Sequence, residues 1–146
     1  MEKYKFGTDG IRGKANEELT PEIAFRLGYV LGKRIPEGER LLVSKDTRES
    51  GDELALSAIS GCLASCKDVD YIKVAATPIS AFATTYLNYS YALVITASHN
   101  IYSDNGLKVF KKNGLKLSDK ECQSIEQELT ENISYSKKIG KLFIKK

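Results

Sequence analysis

Tyr91-Ala92-Leu93-Val94-Ile95 is apolar without a break, and the residues that follow, Thr96-Ala97-Ser98-His99-Asn100, are almost all polar. Such a run, ending at once in a polar loop, reads as a strand buried on both faces, the habit of parallel sheets covered by helices on each side. Ligands of those sheets bind beyond the carboxyl ends of the strands, which puts a candidate site at Ser98. Asn105-Gly106 then reads as a turn, and Lys108 follows it. A hydroxyl, an imidazole, an amide and an ammonium thus converge on one loop, a set suited to a phosphate.

Strand and helix signals alternate on either side of that run. Thr20-Pro21-Glu22 starts a helix with Thr20 as N-cap and Pro21 at the first helical position, and Ile23, Leu27, Val30 and Leu31 form its apolar stripe. Leu41-Leu42-Val43 is a short buried strand. Ser50-x-x-Glu53 has the form of a capping box ahead of a helix that turns Leu56, Ile59, Leu63 and Cys66 inward. A strand is expected near Tyr71 to Ala75, after which Thr77-Pro78 repeats the cap-and-proline device for a shorter helix to about Leu87. Past the polar loop, Leu107 to Phe110 and Leu115 to Leu117 flank Lys112-Asn113-Gly114, a hairpin turn that needs positive φ. Ser118-x-x-Glu121 caps a last helix with Cys122, Ile125 and Leu129 inward, and Ile139 to Lys146 reads as a strand cut short. The alternation, with its single hairpin, predicts a three-layer α/β domain: a mixed sheet with helices on both faces.

A chain of 146 residues with 42% hydrophobic content suffices for one domain with a real core, and a net charge of +3 is too small to argue for nucleic acid. Asp68-Val69-Asp70, at the entrance to a strand, reads as a solvated edge rather than a metal site. No run approaches a membrane span, and Met1-Glu2-Lys3-Tyr4-Lys5-Phe6 lacks the apolar core of a signal peptide, so a cytoplasmic protein is expected. Cys62, Cys66 and Cys122 are odd in number and point to buried thiols rather than disulfides, while one histidine is too few for structural zinc. Lys137, Lys138, Lys141, Lys145 and Lys146 leave open a noncatalytic module that binds an acidic partner or nucleic acid. Those lysines lack an aromatic platform, and the alternation in Lys141-Leu142-Phe143-Ile144-Lys145 suits a strand between domains better.

Four blocks carry a resemblance. Ser98-His99-Asn100 with Asp104-Asn105-Gly106-Leu107-Lys108 resembles the phosphoserine loop of the α-D-phosphohexomutases. Phe6-Gly7-Thr8-Asp9-Gly10-Ile11-Arg12-Gly13 resembles the opening motif of that family's amino-sugar branch, Lys45-Asp46-Thr47-Arg48-Glu49-Ser50-Gly51 resembles its Asp-Thr-Arg-x-Ser-Gly loop, and Thr77-Pro78 falls where the family carries Thr-Pro. The blocks occur in the family's order. Ile101 departs from the pattern, since the family usually has Pro there, and Pro would stiffen the loop by fixing φ.

The resemblance implies that residues 1–138 are the family's catalytic-serine domain and that 139–146 begin the link to a following domain. It implies that Ser98 carries a phosphoryl group, gives it to a sugar hydroxyl, and recovers the other phosphate of a bisphosphate intermediate. The substrates would be glucosamine 6-phosphate and glucosamine 1-phosphate, with mannose or glucose phosphates as the choice of sibling branches. Mg²⁺ would sit at the Ser98 phosphate, with its remaining ligands in a downstream domain, so this chain alone is expected to be inactive. The implied partners are a hexose phosphate, a sugar bisphosphate and those downstream domains, with neither nucleic acid nor membrane.

Each residue also has a plainer role. A loop serine such as Ser98 more often caps backbone amides. Lys108 is either a solvated strand lysine or, as the motif implies, a cation beside the transferring phosphoryl group that also moves a proton. Arg12 either joins a surface ion pair or binds phosphate oxygens through its fork. His99 cannot readily deprotonate Ser98, because adjacent residues of an extended segment point apart, so it is expected to support the loop, as is Asn100. Asp104 braces the turn, and Lys45 and Arg48 either line the cleft or pair with nearby acids.

Overall fold

Parallel strands carry the core of this computed structural model, which describes residues 5–7, 10–97 and 104–145. The strands are β1 (Ile11–Lys14), β2 (Arg40–Lys45), β3 (Asp68–Val74), β4 (Tyr89–Ile95), β5 (Asp104–Lys111) and β6 (Leu142–Ile144). They form one six-stranded sheet in the order β1-β5-β4-β2-β3-β6. β2 pairs in parallel with both β3 and β4, and β6 adds to β3 in parallel. β5 returns antiparallel along β4, and β1 lies antiparallel along β5, so the sheet is mixed as expected.

Alternation of side chains sorts the residues into two faces. Leu41, Val43, Leu93, Ile95, Leu107 and Val109 join the larger core with α1 (Pro21–Arg34), α2 (Gly51–Ala64) and α4 (Asp119–Glu128). Leu42, Ala92, Val94 and Phe110 form a smaller core under α3 (Thr77–Tyr86). Every residue of β4 is buried, which is why its sequence shows no polar alternation. α1 and α2 touch backbone to backbone. A Cβ on Gly28 would lie 1.9 Å from the Ala58 carbonyl oxygen, and one on Gly61 2.0 Å from that of Phe25. Among the described residues no helix is long and apolar enough to cross a membrane.

Thr20 caps α1 as read, its hydroxyl accepting from the Ile23 N–H, and the predicted stripe of Ile23, Leu27, Val30 and Leu31 is buried. Ser118 and Glu121 form the full capping box of α4. Asn113 and Gly114 have the positive φ predicted for that turn, at 67° and 68°. The return after it is shorter than expected, because Leu115 to Leu117 makes one isolated bridge, Phe110 with Lys116, instead of a strand.

Other expectations need correction. Ser50 takes a helical backbone conformation and makes no side-chain cap; its hydroxyl accepts instead from the Asn105 amide. The inward stripe of α2 is Leu54, Ala55, Ala58, Ile59 and Cys62, while Leu56 is exposed and Cys66 lies beyond the helix with φ 72°. Ala76, not Thr77, holds the N-cap position of α3. Asn105-Gly106 is not a turn: both residues are buried inside β5. Nor is Asp70 solvated. Its buried carboxylate accepts from Arg40 Nη1 at 2.8 Å and from the Tyr89 hydroxyl, which supply the partners that a buried charge requires. β1, within the opening motif, was not anticipated as a strand.

Glu121 makes acid stability testable. Its Oε1 accepts from Lys111 Nζ at 2.8 Å and from the Ser118 N–H at 3.0 Å. The Lys111 hydrogen bond first, and the Ser118 N–H next, hold the carboxyl down to about 2 from an ordinary 4.5. A depressed folded-state value stabilises the fold above the unfolded value and loses that contribution as pH falls from about 4.5 toward about 2. Glu121→Gln keeps the cap and removes the titration, so its melting temperature should fall less than the parent's across that window. Parallel slopes for the two proteins would contradict this assignment.

Candidate active site

β2 and β4 are neighbours whose exits diverge: β2 leads into α2 on one face, and β4 leads away toward β5. A crevice opens where adjacent parallel strands part in this way, beyond their carboxyl ends. Asp46 follows β2 there, its N–H donating to the Ile95 carbonyl at 3.0 Å. The Asp46 carboxylate then gathers three donors. Arg48 donates from its backbone N–H to Oδ1 and from Nε to Oδ2, each at 3.0 Å, and the Thr96 hydroxyl donates to Oδ2 at 2.8 Å. Arg48 is buried and makes this ion pair with Asp46. Lys45 likewise pairs with Asp52, at 3.1 Å.

Across the same opening, the Thr96 N–H donates to the Gly106 carbonyl at 3.0 Å and joins β4 to the start of β5. Asn105, fully buried, donates from Nδ2 to Ser50 Oγ at 2.9 Å and accepts the Gly106 N–H on Oδ1 at 2.9 Å. Both halves of this amide are therefore satisfied, as burial demands. Thr96 and Asn105 are thus each bonded to the residues after β2, Thr96 to Asp46 on the α3 face and Asn105 to Ser50 on the α2 face.

β1 brings the opening motif to the same place. Arg12 lies opposite Gly106 in the β1–β5 register, and Lys108 is two residues further along β5, so both belong to the α3 face of the sheet. Arg12 is exposed, and among the described residues no carboxylate pairs with it. The half-buried Lys108 turns its ammonium to within 5.3 Å of the Phe110 ring centroid, away from the opening, a cation–π contact. Gly10 makes this approach possible. With φ 80°, it lies so close to β5 that a Cβ would stand 1.8 Å from the Leu107 carbonyl oxygen. Asp104 begins β5 opposite Lys14 rather than bracing a turn.

Ser98, His99, Asn100 and Ile101 lie outside the described residues, which resume at Asp104 after ending at Ala97. Among the described residues no group of three or more His, Cys, Asp or Glu side chains is arranged to hold a metal. Asp46, a carboxylate beside the opening, is engaged by Arg48 and Thr96 and does not fit a Mg²⁺ ligand set. A separate cavity of about 570 Å³ on the α3 face is lined mainly by apolar side chains such as Leu42, Ile72, Val74 and Ile79, together with Asp70, Tyr89 and Lys145. Cys62 and Cys122 are buried thiols, as expected, and burial pushes Cys62 up to about 12.

Thr96, Asp46, Ser50 and Asn105 escaped the reading of the sequence as a connected set. Asp46-Thr47-Arg48 held one local clue, since an Asp readily accepts the N–H two residues on. The other links join residues 50 and 55 apart and leave no local signature.

The family described as phosphoglucomutase/phosphomannomutase, alpha/beta/alpha domain I, matches residues 3–136. A phosphoglucosamine mutase of Listeria monocytogenes is 47% identical over 131 residues, covering 87% of this chain and 29% of the relative. One from Exiguobacterium sp. is 47% identical over 132 residues, with 86% and 29% covered. The chain therefore spans 29% of the length of these curated relatives. Among solved structures, a phosphoglucomutase/phosphomannomutase family protein from Burkholderia thailandensis shares the fold with a TM-score of 0.85 at 23% identity, covering 99% of this chain and 33% of that one. A putative phosphomannomutase from Thermus thermophilus gives 0.84 at 27% identity, with 98% and 33% covered. With the family's sequence pattern running through nearly all of the chain and its fold reproduced, this protein belongs to the phosphoglucomutase/phosphomannomutase family, as its α/β/α domain I.

Proposed function

We propose that this domain carries the phosphoryl-bearing serine, Ser98, of an enzyme that interconverts glucosamine 6-phosphate and glucosamine 1-phosphate. The observation that carries the reading is that Arg12 and Lys108 share one face of the sheet beside the exit of β4, from which Ala97 leads directly to Ser98. The glucosamine branch is favoured by the relatives named phosphoglucosamine mutase at 47% identity. Three free cysteines fit a reducing, cytoplasmic setting. Residues 1–138 would form the catalytic-serine domain, and 139–146, whose Leu142–Ile144 strand extends the sheet beside β3, would lead toward the next domain.

In the proposed reaction the P–O bond to Ser98 Oγ breaks as one to a sugar hydroxyl forms. The hydroxyl loses a proton and the serine oxygen gains one; the second half reverses these changes at the sugar's other phosphate. Lys108, swung from Phe110 toward the opening, would offset charge on the phosphoryl oxygens and exchange that proton. Arg12 would hold phosphate oxygens through its planar fork. His99 and Asn100 would support the loop around Ser98. A phosphoserine at this position calls for a cation such as Mg²⁺, with ligands drawn from outside this chain, and the 146-residue chain alone is accordingly expected to lack turnover.

The full-length polypeptide carrying this domain, incubated with glucose 1,6-bisphosphate and Mg²⁺, should gain one phosphate by intact mass, and Ser98→Ala should gain none. Equal uptake by the two would overturn the assignment. Lys108→Met should lower kcat by roughly 10² to 10⁴ while changing KM much less. An effect confined to KM would remove Lys108 from the chemistry.

A further inference from the structure

From the side-chain links around the opening, we propose that Asp46, Thr96, Ser50 and Asn105 are positioning residues that fix both ends of the segment bearing Ser98. The proposal rests on the reading of Ser98 as the phosphoryl carrier. The links form a closed circuit. Asp46 accepts from the Thr96 hydroxyl, and the Thr96 N–H donates to the Gly106 carbonyl. The Gly106 N–H donates to Asn105 Oδ1, and Asn105 Nδ2 donates to Ser50 Oγ. Between Ser50 and Asp46 the chain is itself closed, with Arg48 bonded twice to Asp46 and the Gly51 N–H donating to the Arg48 carbonyl at 3.0 Å. One short connection, from β2 to α2, thereby grips β4 at its last turn outward and β5 at its beginning, from opposite faces of the sheet.

Thr96 and Asn105 are buried while Asp46 and Ser50 are partly exposed, so each link is shielded from competing water on one side. In this proposal the anchors at Thr96 and Asn105 serve in-line transfer from the serine between them, for which a displacement of about 1 Å costs on the order of 10² in rate. Substrate phosphate is held elsewhere, by Arg12 in the reading above. Loss of the circuit should therefore slow transfer without weakening substrate binding.

The test uses the full-length polypeptide carrying this domain, as parent, Thr96→Val, Thr96→Ser, Ser50→Ala and Ser98→Ala. Thr96→Val should reach the parent's final phosphate content more slowly and lose about 10- to 100-fold in kcat with KM within about 3-fold, and Thr96→Ser, which restores the hydroxyl, should recover most of that loss. An unchanged kcat in a folded Thr96→Val, or a Thr96→Ser that stays as slow as Thr96→Val, overturns the proposal. Should Thr96→Val lose its cooperative melt, the same kcat and KM criteria apply to Ser50→Ala. Full activity in Ser98→Ala would instead defeat the reading of Ser98, which the parent's phosphate content reports independently.

Discussion

The parallel pairing of β2 with β4 is the constraint on which the rest of the structure depends. Both strands are buried, and their register runs from Arg40 and Tyr89 to Lys45 and Ile95. Because β2 turns toward β3 and β4 turns toward β5, Asp46 and Thr96, the polar residues that follow them, meet at one opening. Helices on both faces bury the strands, and that burial removes water from the backbone ladder beneath the opening. The same burial makes an unpartnered polar group there cost about 1–3 kcal/mol, which explains why the buried Thr96 and Asn105 are each partnered.

The two faces of the sheet are covered unequally. Three helices and the larger core lie on one side, locked by the contact of α1 with α2 through Gly28 and Gly61. The other side holds α3 and a small cluster around Leu42 and Phe110, and it is this side that presents Arg12, Lys108 and Thr96. A heavily covered side and a lightly covered side thus differ: one packs the strands, and the other leaves Arg12 exposed and Lys108 half-buried. Burial of Asp70 on the light side is supported by Arg40 and Tyr89, without which a buried carboxylate would cost several kcal/mol.

Much of this was legible in the sequence because its causes are local. The apolar stripe of α1, the Ser118 capping box, the positive φ at Asn113 and Gly114 and the unbroken apolar β4 all depend on neighbours within a few residues. Where the sequence misled, the deciding partner lay far along the chain. Ser50 resembles a cap but is claimed by Asn105, and Asn105-Gly106 resembles a turn but is held in β5 by pairing with both β4 and β1. Asp70 resembles a solvated edge until Arg40 and Tyr89 close over it. For the site, the motifs singled out Arg12 and Lys108, which the register places on one face of the sheet, whereas the circuit joining Asp46, Thr96, Asn105 and Ser50 has links that span 50 and 55 residues and is visible only in three dimensions.

The most direct test of the account is an amide chemical-shift titration of the full-length polypeptide carrying this domain with glucose 1,6-bisphosphate. The account predicts that, within this domain, the largest shifts cluster at Arg12, at Asp46 to Ser50, at Thr96 and Ala97, and at Asp104 to Lys108. Shifts concentrated instead at the opposite end of the sheet, around Glu39, Lys111 and Lys112, would contradict it.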